Sequence, residues 1–166
     1  MSFAKFVFLA LFGASMLVAQ AVKTRDPNQV AGTWRMISAQ LETADGSVPA
    51  YGTKPSGLLV FTEDLHYVEV LTNANVPKFA SDVRGHGTPE ENRAAMASSI
   101  GMFGTYTVDH NGQFVGDRVE GSTFPNWVGN VRTRKELQIV MNGDRLTEHF
   151  QRPDGGRINI IWQRVR

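Results

Sequence analysis

The sequence predicts an all-β protein, an eight-stranded antiparallel up-and-down barrel with one short helix in the long connection between strands 3 and 4. Short runs rich in Val, Ile, Thr, Tyr and Phe recur at fairly even spacing from Gly32 onward, which is typical of sandwiches and barrels. Turn-forming pairs such as Asn142-Gly143 separate the runs. Eight strands in simple order close into a barrel because closure removes the exposed sheet edges.

Residues 1–21 are predicted to be a secretory signal peptide. Lys5 precedes an apolar run over residues 6–18, and Ala19-Gln20-Ala21 supplies a cleavage site. The run is shorter than the roughly 20 residues that span a bilayer. We therefore expect an exported protein, with no membrane contact once the signal is removed, and a single domain over residues 22–166.

The predicted elements follow from local patterns. Thr88-Pro89-Glu90-Glu91 reads as a capping box with Pro at the first helical position, and it opens the helix-forming stretch 92–103. The helix and residues 73–87 before it make a connection long enough to cover one end of a barrel. The eight strands are predicted at residues 33–42, 57–62, 66–72, 104–109, 113–121, 131–141, 145–152 and 157–164.

Composition excludes several classes of function. Of 17 basic residues one, Lys5, lies in the signal segment, so 16 basic and 16 acidic residues remain and the charge is near zero. Arg132, Arg134 and Lys135 are interpreted as the solvated face of a strand, and no nucleic-acid partner is expected. Cys is absent, no His pair has metal-site spacing, and we expect no metal and no cofactor. The oligomeric state is left open.

Strand parity identifies candidate residues of the barrel interior. Trp34, Met36 and Ser38 share one face of the first strand. Glu148 lies between apolar Leu146 and Phe150, and Glu69 between Tyr67 and Leu71. An inward carboxylate is costly unless it is paired or protonated, so Glu148 and Glu69 are expected to have raised pKa values. The alternatives are a structural ion pair with Arg118 or Arg132, or a bulge that turns the strand outward.

The stretch VEGSTFPNWVG, residues 119–129, carries more apolar surface than a turn requires. Phe124, Asn126 and Trp127 are expected either to form part of a ligand-binding mouth or to seal a filled core, at the same end of the barrel as the helix. Tyr106 is either a phenol that donates to a ligand or an ordinary core Tyr bonded to the backbone.

Several motifs together resemble the bacterial and fungal lipocalin-like domain family. They are Gly32-Thr33-Trp34, Asp45-Gly46, Tyr51-Gly52, Thr88-Pro89-Glu90-Glu91, Gly104-Thr105-Tyr106, VEGSTFPNWVG, residues 143–147 and Ile161-Trp162-Gln163-Arg164. The resemblance implies a lipocalin-like barrel in which Arg164 of the last strand lies over Trp34 of the first.

The resemblance also implies a function. The first expectation is a secreted protein that holds a small hydrophobic or amphipathic molecule in its barrel, with Trp127, Phe124, Asn126, Tyr106, Glu148, Met36 and Ser38 as ligand-binding residues. The alternative is an isomerase or cyclase, for example in secondary-metabolite biosynthesis. There Glu148 or Glu69 would move a proton and Tyr106 or Arg118 would stabilise negative charge. A filled barrel that works through its surface is the third possibility.

Overall fold

The computed structural model describes residues 28–166. The predicted signal peptide and the start of the mature chain lie outside these residues. The described chain contains ten antiparallel strands, one α-helix and one 3₁₀ turn: β1 (Gly32–Thr43), β2 (Gly46–Pro49), β3 (Pro55–Phe61), β4 (His66–Asn73), α1 (Pro89–Ala97), β5 (Ser99–Val108), β6 (Phe114–Ser122), the turn Pro125–Trp127, β7 (Val131–Thr133), β8 (Leu137–Asn142), β9 (Arg145–Gln151) and β10 (Arg157–Arg164).

The strands form a nearly closed barrel. Their order is β7-β6-β5-β4-β3-β1-β10-β9-β8, with β2 paired to β1 outside this path. The first and last long strands pair along their length, from Trp34 opposite Arg164 to Glu42 opposite Arg157. This pairing joins the first and last strands of residues 28–166, and the predicted all-β barrel with one short helix is confirmed.

The strand count differs from the predicted eight for two local reasons. The turn after Thr43 sends the chain back along β1 as the short strand β2. The run predicted as one strand over residues 131–141 is broken, because the Glu136 carboxylate accepts hydrogen bonds from the Thr133 amide and hydroxyl at 2.9 and 2.7 Å. Its first part, β7, pairs with β6, and its second part, β8, pairs with β9.

Between these two pairings the barrel wall has a gap. Within residues 28–166 no ladder joins β7 to β8, and a cavity of about 140 Å³ lies there. Its lining includes Val119, Trp127, Arg132 and Phe150.

The helix begins as predicted and ends earlier. The Thr88 hydroxyl accepts from the Glu91 amide at 3.2 Å, and the Glu91 carboxylate accepts from the Thr88 amide at 2.7 Å. The helix ends at Ala97, because the strand pattern resumes at Ser99, where Ile100 and Met102 alternate into the core. The predicted fourth strand therefore starts five residues earlier than Gly104.

The core fills the barrel interior below the helix. Its fully buried side chains include Trp34, Leu146, Ile160 and Trp162. One bulge matters for the interior. In β1, Met36 lies opposite Trp162 while Ser38 lies opposite the adjacent Ile161, so the register shifts at Ile37. Side-chain alternation therefore changes phase at this point.

Candidate functional site

A cavity of about 250 Å³ opens at the end of the barrel where Leu41 lies opposite Ile158. We call it the mouth cavity. Its lining is mainly apolar and comes from β1, β5, β9, β10, helix α1 and the loops before β3 and after β6: Leu41, Ala50, Tyr51, Met96, Ala97, Ser99, Ile100, Phe124, Trp127, Phe150, Arg152 and Ile158. Helix α1 and residues 119–129, the stretch VEGSTFPNWVG, thus meet at one end of the barrel.

Trp127 is held over this cavity by the local geometry of the 3₁₀ turn. Pro125 occupies its first position, and the Val128 and Asn130 amides bond to the Pro125 and Trp127 carbonyls, both at 3.1 Å. The Trp127 ring stands edge-on to Phe124 and to Phe150, with ring centroids 5.9 and 5.6 Å apart. Trp127 is half-buried, and its indole forms part of the cavity wall.

The opposite end is closed by a stacked pair. The Arg164 guanidinium lies 4.0 Å from the centre of the Trp34 ring. It donates to the carbonyls of Ala31 and Gln29 at 2.6 and 3.1 Å, and Trp34 donates to the Val30 carbonyl at 2.9 Å. The structure thus brings together the two residues expected to close the barrel, away from the mouth cavity.

Two carboxyl groups lie inside the barrel, one layer below the mouth. Glu69 and Glu148 are 3 and 4 % exposed and are hydrogen-bonded to each other. The Trp162 indole also donates to Glu148, at 3.0 Å. Burial, and then the Glu148 charge, raise the pKa of Glu69 well above its usual value. Burial also raises the pKa of Glu148, although Arg132 and Trp162 oppose this.

Two adjacent buried carboxylates repel each other, so the pKa of Glu69, the more strongly raised of the two, keeps a proton on this group to higher pH. We assign the proton to Glu69, which donates to the carboxylate of Glu148. The pair is a hydrogen-bonded acid and base with one net negative charge.

A buried salt bridge between Arg132 and Asp117 lies beside the carboxyl pair. Arg132 and Asp117 lie directly opposite each other on β7 and β6. The Arg132 guanidinium donates to both carboxylate oxygens of Asp117, through Nε at 2.8 Å and through Nη2, and to the Tyr67 hydroxyl at 3.2 Å. Burial alone would lower the pKa of Arg132, but Asp117 outweighs it and the pKa is raised.

Three expectations about single residues need correction. Arg132 is buried rather than solvated, because Asp117 compensates its charge. Arg118 is exposed, because Asp117 and Val119 on either side of it point inward; it is not available to stabilise charge in the interior. Ala39 is fully buried where Ser38 is only half-buried, since the bulge at Ile37 changes the phase.

For Tyr106 the structure shows the second of the two alternatives left open by the sequence, not the ligand-binding one. It is buried, and its hydroxyl donates to the Thr62 carbonyl at 2.6 Å and accepts from the Asn28 side chain at 2.7 Å. Its ring packs on Phe61, with centroids 4.8 Å apart. Tyr106 is therefore a core tyrosine bonded to the backbone, rather than a lining residue of the mouth.

The remaining candidates are divided between mouth and interior. Phe124 and Trp127 line the mouth cavity, whereas Asn126 of the same turn is exposed and does not line it. Met36 is buried below the mouth, opposite Trp162. Glu148 lies in the interior beside Glu69.

Sequence reasoning missed Tyr51 as a site residue. It comes from the loop between β2 and β3 and lines the mouth cavity. Burial, and then the charges of Glu69 and Glu148, raise its pKa. Its side chain thus borders the mouth within the electrostatic reach of both carboxyl groups. Two signals pointed to this residue: a lone aromatic in a segment of turn residues, and the Tyr51-Gly52 motif of the family resemblance.

No group of acidic or His side chains suited to a metal ion is found among residues 28–166. In the same part of the chain, none of the helices has the length and apolar character needed to cross a membrane.

A comparison with models of protein families gives a match over most of the chain. The model of a family described as a lipocalin-like domain matches residues 31–165, nearly all of the described chain. No curated protein and no solved structure matches the sequence.

Proposed function

Since the chain belongs to the lipocalin-like domain family, we propose that it binds a small apolar or amphipathic molecule in the mouth cavity. The observation that carries the proposal is the concave apolar surface between Trp127, Phe150 and helix α1. Ligand sites are typically clefts with apolar walls and a few polar groups that orient the ligand. Here Tyr51 and Arg152 are such groups.

The dimensions of the cavity favour a small ligand. Its volume of about 250 Å³ is slightly below the roughly 300 to 1,000 Å³ of sites for drug-sized molecules. The interior below it is packed, with a space of only about 10 Å³ beside the carboxyl pair. We propose binding at the end of the barrel, with the tail of the ligand against Trp127. We also propose that the protein acts after export, on the evidence of residues 1–21.

Tryptophan fluorescence tests the proposal directly. Trp34 and Trp162 are fully buried, and only Trp127 borders the mouth. Apolar dyes, and any molecule recovered from protein purified from its natural source, should therefore change the Trp127 emission. Trp127→Ala should weaken their binding at least tenfold. The matched control is Phe103→Ala, which removes an exposed aromatic from the outer face of β5.

Equal affinity in the wild type and Trp127→Ala would contradict binding in the mouth. A loss of stability by about 3 to 5 kcal/mol with no ligand effect would instead indicate a plug over a filled core.

One observation favours an enzyme as the second candidate. Glu69 and Glu148 form an inward, hydrogen-bonded acid and base, the arrangement that proton transfer in an isomerase or cyclase requires. If the protein is such an enzyme, the Glu148→Gln variant should be unable to move the proton and should retain unreacted substrate in its cavity. The molecule that copurifies with Glu148→Gln should differ from that of the wild type in chromatography, even where the masses are equal. Identical bound molecules in both proteins would exclude the enzyme.

A further inference from the structure

A second cavity lies on the outer face of the barrel wall. It has a volume of about 250 Å³, and its lining is polar and comes from β8, β9, β10 and the turn before β8: Lys135, Glu136, Gln138, His149, Gln151 and Arg157. We call it the outer cleft. It shares no lining residue with the mouth cavity, so it is a separate candidate site.

The alternation of side chains along β9 accounts for the position of the cleft. Glu148 points into the barrel, so His149 and Gln151 on either side of this pattern point outward. Gln138 of β8 lies opposite His149, and Arg157 of β10 lies opposite Gln151. His149 and Gln151 are half-buried, whereas Gln138 and Arg157 are exposed. The half-buried pair therefore forms the floor of the cleft, and the exposed side chains form its rim.

A chain of hydrogen bonds fixes the orientation of the His149 ring. The Glu42 carboxylate can only accept, so it must face the amide nitrogen of Asn159, which lies 2.5 Å away. The Asn159 oxygen then faces Nδ1 of His149 at 2.5 Å and accepts from it. Nδ1 therefore carries a hydrogen. Nε2 of the neutral ring is an acceptor, and within residues 28–166 it has no hydrogen-bond partner.

The Gln151 amide is oriented in the same way. Its nitrogen donates to the carbonyls of Gly155 and Gly156 at 3.0 and 3.4 Å, and because carbonyls only accept, these bonds leave the side-chain oxygen for the cleft. His149 and Gln151 are two residues apart on the same face of a strand, a separation of about 7 Å. The floor thus presents two acceptors, and a ligand that fits it must supply donors such as hydroxyl groups.

The charges of the lining favour an anion. Lys135 and Arg157 are cations, and the Glu136 carboxylate, whose pKa is lowered by its bonds to Thr133, carries one negative charge. The carboxylate that faces Arg157 is Glu42, at 3.9 Å between exposed side chains, a contact that contributes little. The lining therefore has a net charge of one positive unit. A carboxylate balances this charge, whereas an ammonium donor would meet two like charges.

We propose that the outer cleft binds a small hydroxylated acid. Its hydroxyl groups donate to Nε2 of His149 and to the side-chain oxygen of Gln151, and its carboxylate lies between Lys135 and Arg157. This second site goes beyond the binding of an apolar molecule in the mouth and does not depend on it.

Four probes of equal carbon number test the proposal. Gluconate carries both hydroxyl groups and a carboxylate, sorbitol has only the hydroxyl groups, hexanoate only the carboxylate, and norleucine an ammonium with the carboxylate. Each is titrated at neutral pH and constant ionic strength while the imidazole nitrogen signals are followed by NMR, and affinities are taken from the His149 signal. Gluconate should shift His149, leave the exposed His66 of β4 unchanged, and bind about tenfold more tightly than the other three probes.

Calorimetry of surface variants gives the second arm of the test. Arg157→Gln should weaken gluconate binding about tenfold and leave sorbitol binding unchanged, because only the charge is lost. His149→Phe should weaken gluconate and sorbitol binding about fivefold each, because the acceptor is lost. The matched control is Arg145→Gln, which removes an exposed cation at the start of β9 that does not line the cleft; it should bind gluconate like the wild type.

The outcomes separate the parts of the proposal. If hexanoate or norleucine binds at His149 as tightly as gluconate, the role of the hydroxyl groups is wrong. If sorbitol binds as tightly as gluconate, the role of the cations is wrong. If no probe shifts His149, or if Arg157→Gln and Arg145→Gln bind gluconate equally, the outer cleft is not the site, and binding in the mouth is unaffected. Should a variant fail to fold, the comparison of the four probes on the wild type still decides the result.

Discussion

Replacing Arg132 with Met tests how charge is balanced inside the barrel. Arg132 is 7 % exposed and is the cation that faces Asp117 and the carboxyl pair. Without it, the ionised Asp117 and the shared charge of Glu69 and Glu148 remain buried together. Breaking a buried ion pair from one side costs about 3 to 5 kcal/mol because it leaves an uncompensated charge. We expect a loss of this size in the free energy of unfolding at pH 7.

Removing the other partner should cost less. In Asp117→Asn the Arg132 cation still faces the negative charge shared by Glu69 and Glu148, so the interior becomes neutral overall. The loss is then limited to weakened hydrogen bonds between Asp117 and Arg132, about 1.5 to 3 kcal/mol. The double replacement Asp117→Leu/Arg132→Met removes both charges and should recover most of the stability, as apolar replacements of buried ion pairs do.

Urea unfolding of the four proteins at constant ionic strength measures these differences. The order of stability should be wild type, Asp117→Asn, Arg132→Met, with the double variant above Arg132→Met. A smaller loss for Arg132→Met than for Asp117→Asn would refute the charge balance described here. So would a double variant less stable than either single variant.

Three further predictions concern the carboxyl pair, the closed end and the wall of the barrel. Because the pKa of Glu69 is raised in the folded state, its contribution to stability is complete below the unfolded pKa of about 4.3 and is lost as the pH rises through the folded pKa. Glu69→Gln should therefore flatten the fall in the free energy of unfolding above that pH; equal slopes would contradict the assignment. Arg164→Lys should lower the melting temperature, since the planar stack on Trp34 contributes about 0.5 to 2 kcal/mol; an unchanged value would show that the stack is not stabilising. Gly104→Ala would place a Cβ 1.9 Å from a backbone carbonyl of β6 and should cost at least about 1 to 3 kcal/mol, whereas Gly101→Ala on the same strand meets its nearest neighbour at 3.4 Å and should be tolerated; similar denaturation midpoints would contradict this packing.

Local patterns predicted much of the fold. The capping box at Thr88 depends on residues three positions apart, and most strands follow from short runs between turns. The stack of Arg164 on Trp34 was accessible through the family resemblance. These features need little knowledge of which residues meet across the sheet.

The polar interior was harder to predict, because it depends on register. Arg132 points inward only because Asp117 lies opposite it, and no local pattern contains that pairing. The parity argument succeeded for Glu69 and Glu148, whose strands are regular at these positions, and failed for Ser38, where one bulge at Ile37 changes the phase. Alternation is thus a reliable guide only between bulges.

For the ligand site proposed at the mouth, the gap between β7 and β8 has a consequence for the range of ligand sizes. The circumference of a fully hydrogen-bonded barrel is fixed by its ladders, so an oversized guest must break backbone bonds. At the gap no ladder would have to break for the wall to widen, and Trp127 and Phe150 line both the mouth and the gap cavity there. A larger ligand would then require new rotamers of Trp127 and Phe150 and would leave the backbone hydrogen bonds intact. Affinity should decline gradually with each added methylene of the tail, rather than end abruptly at one length.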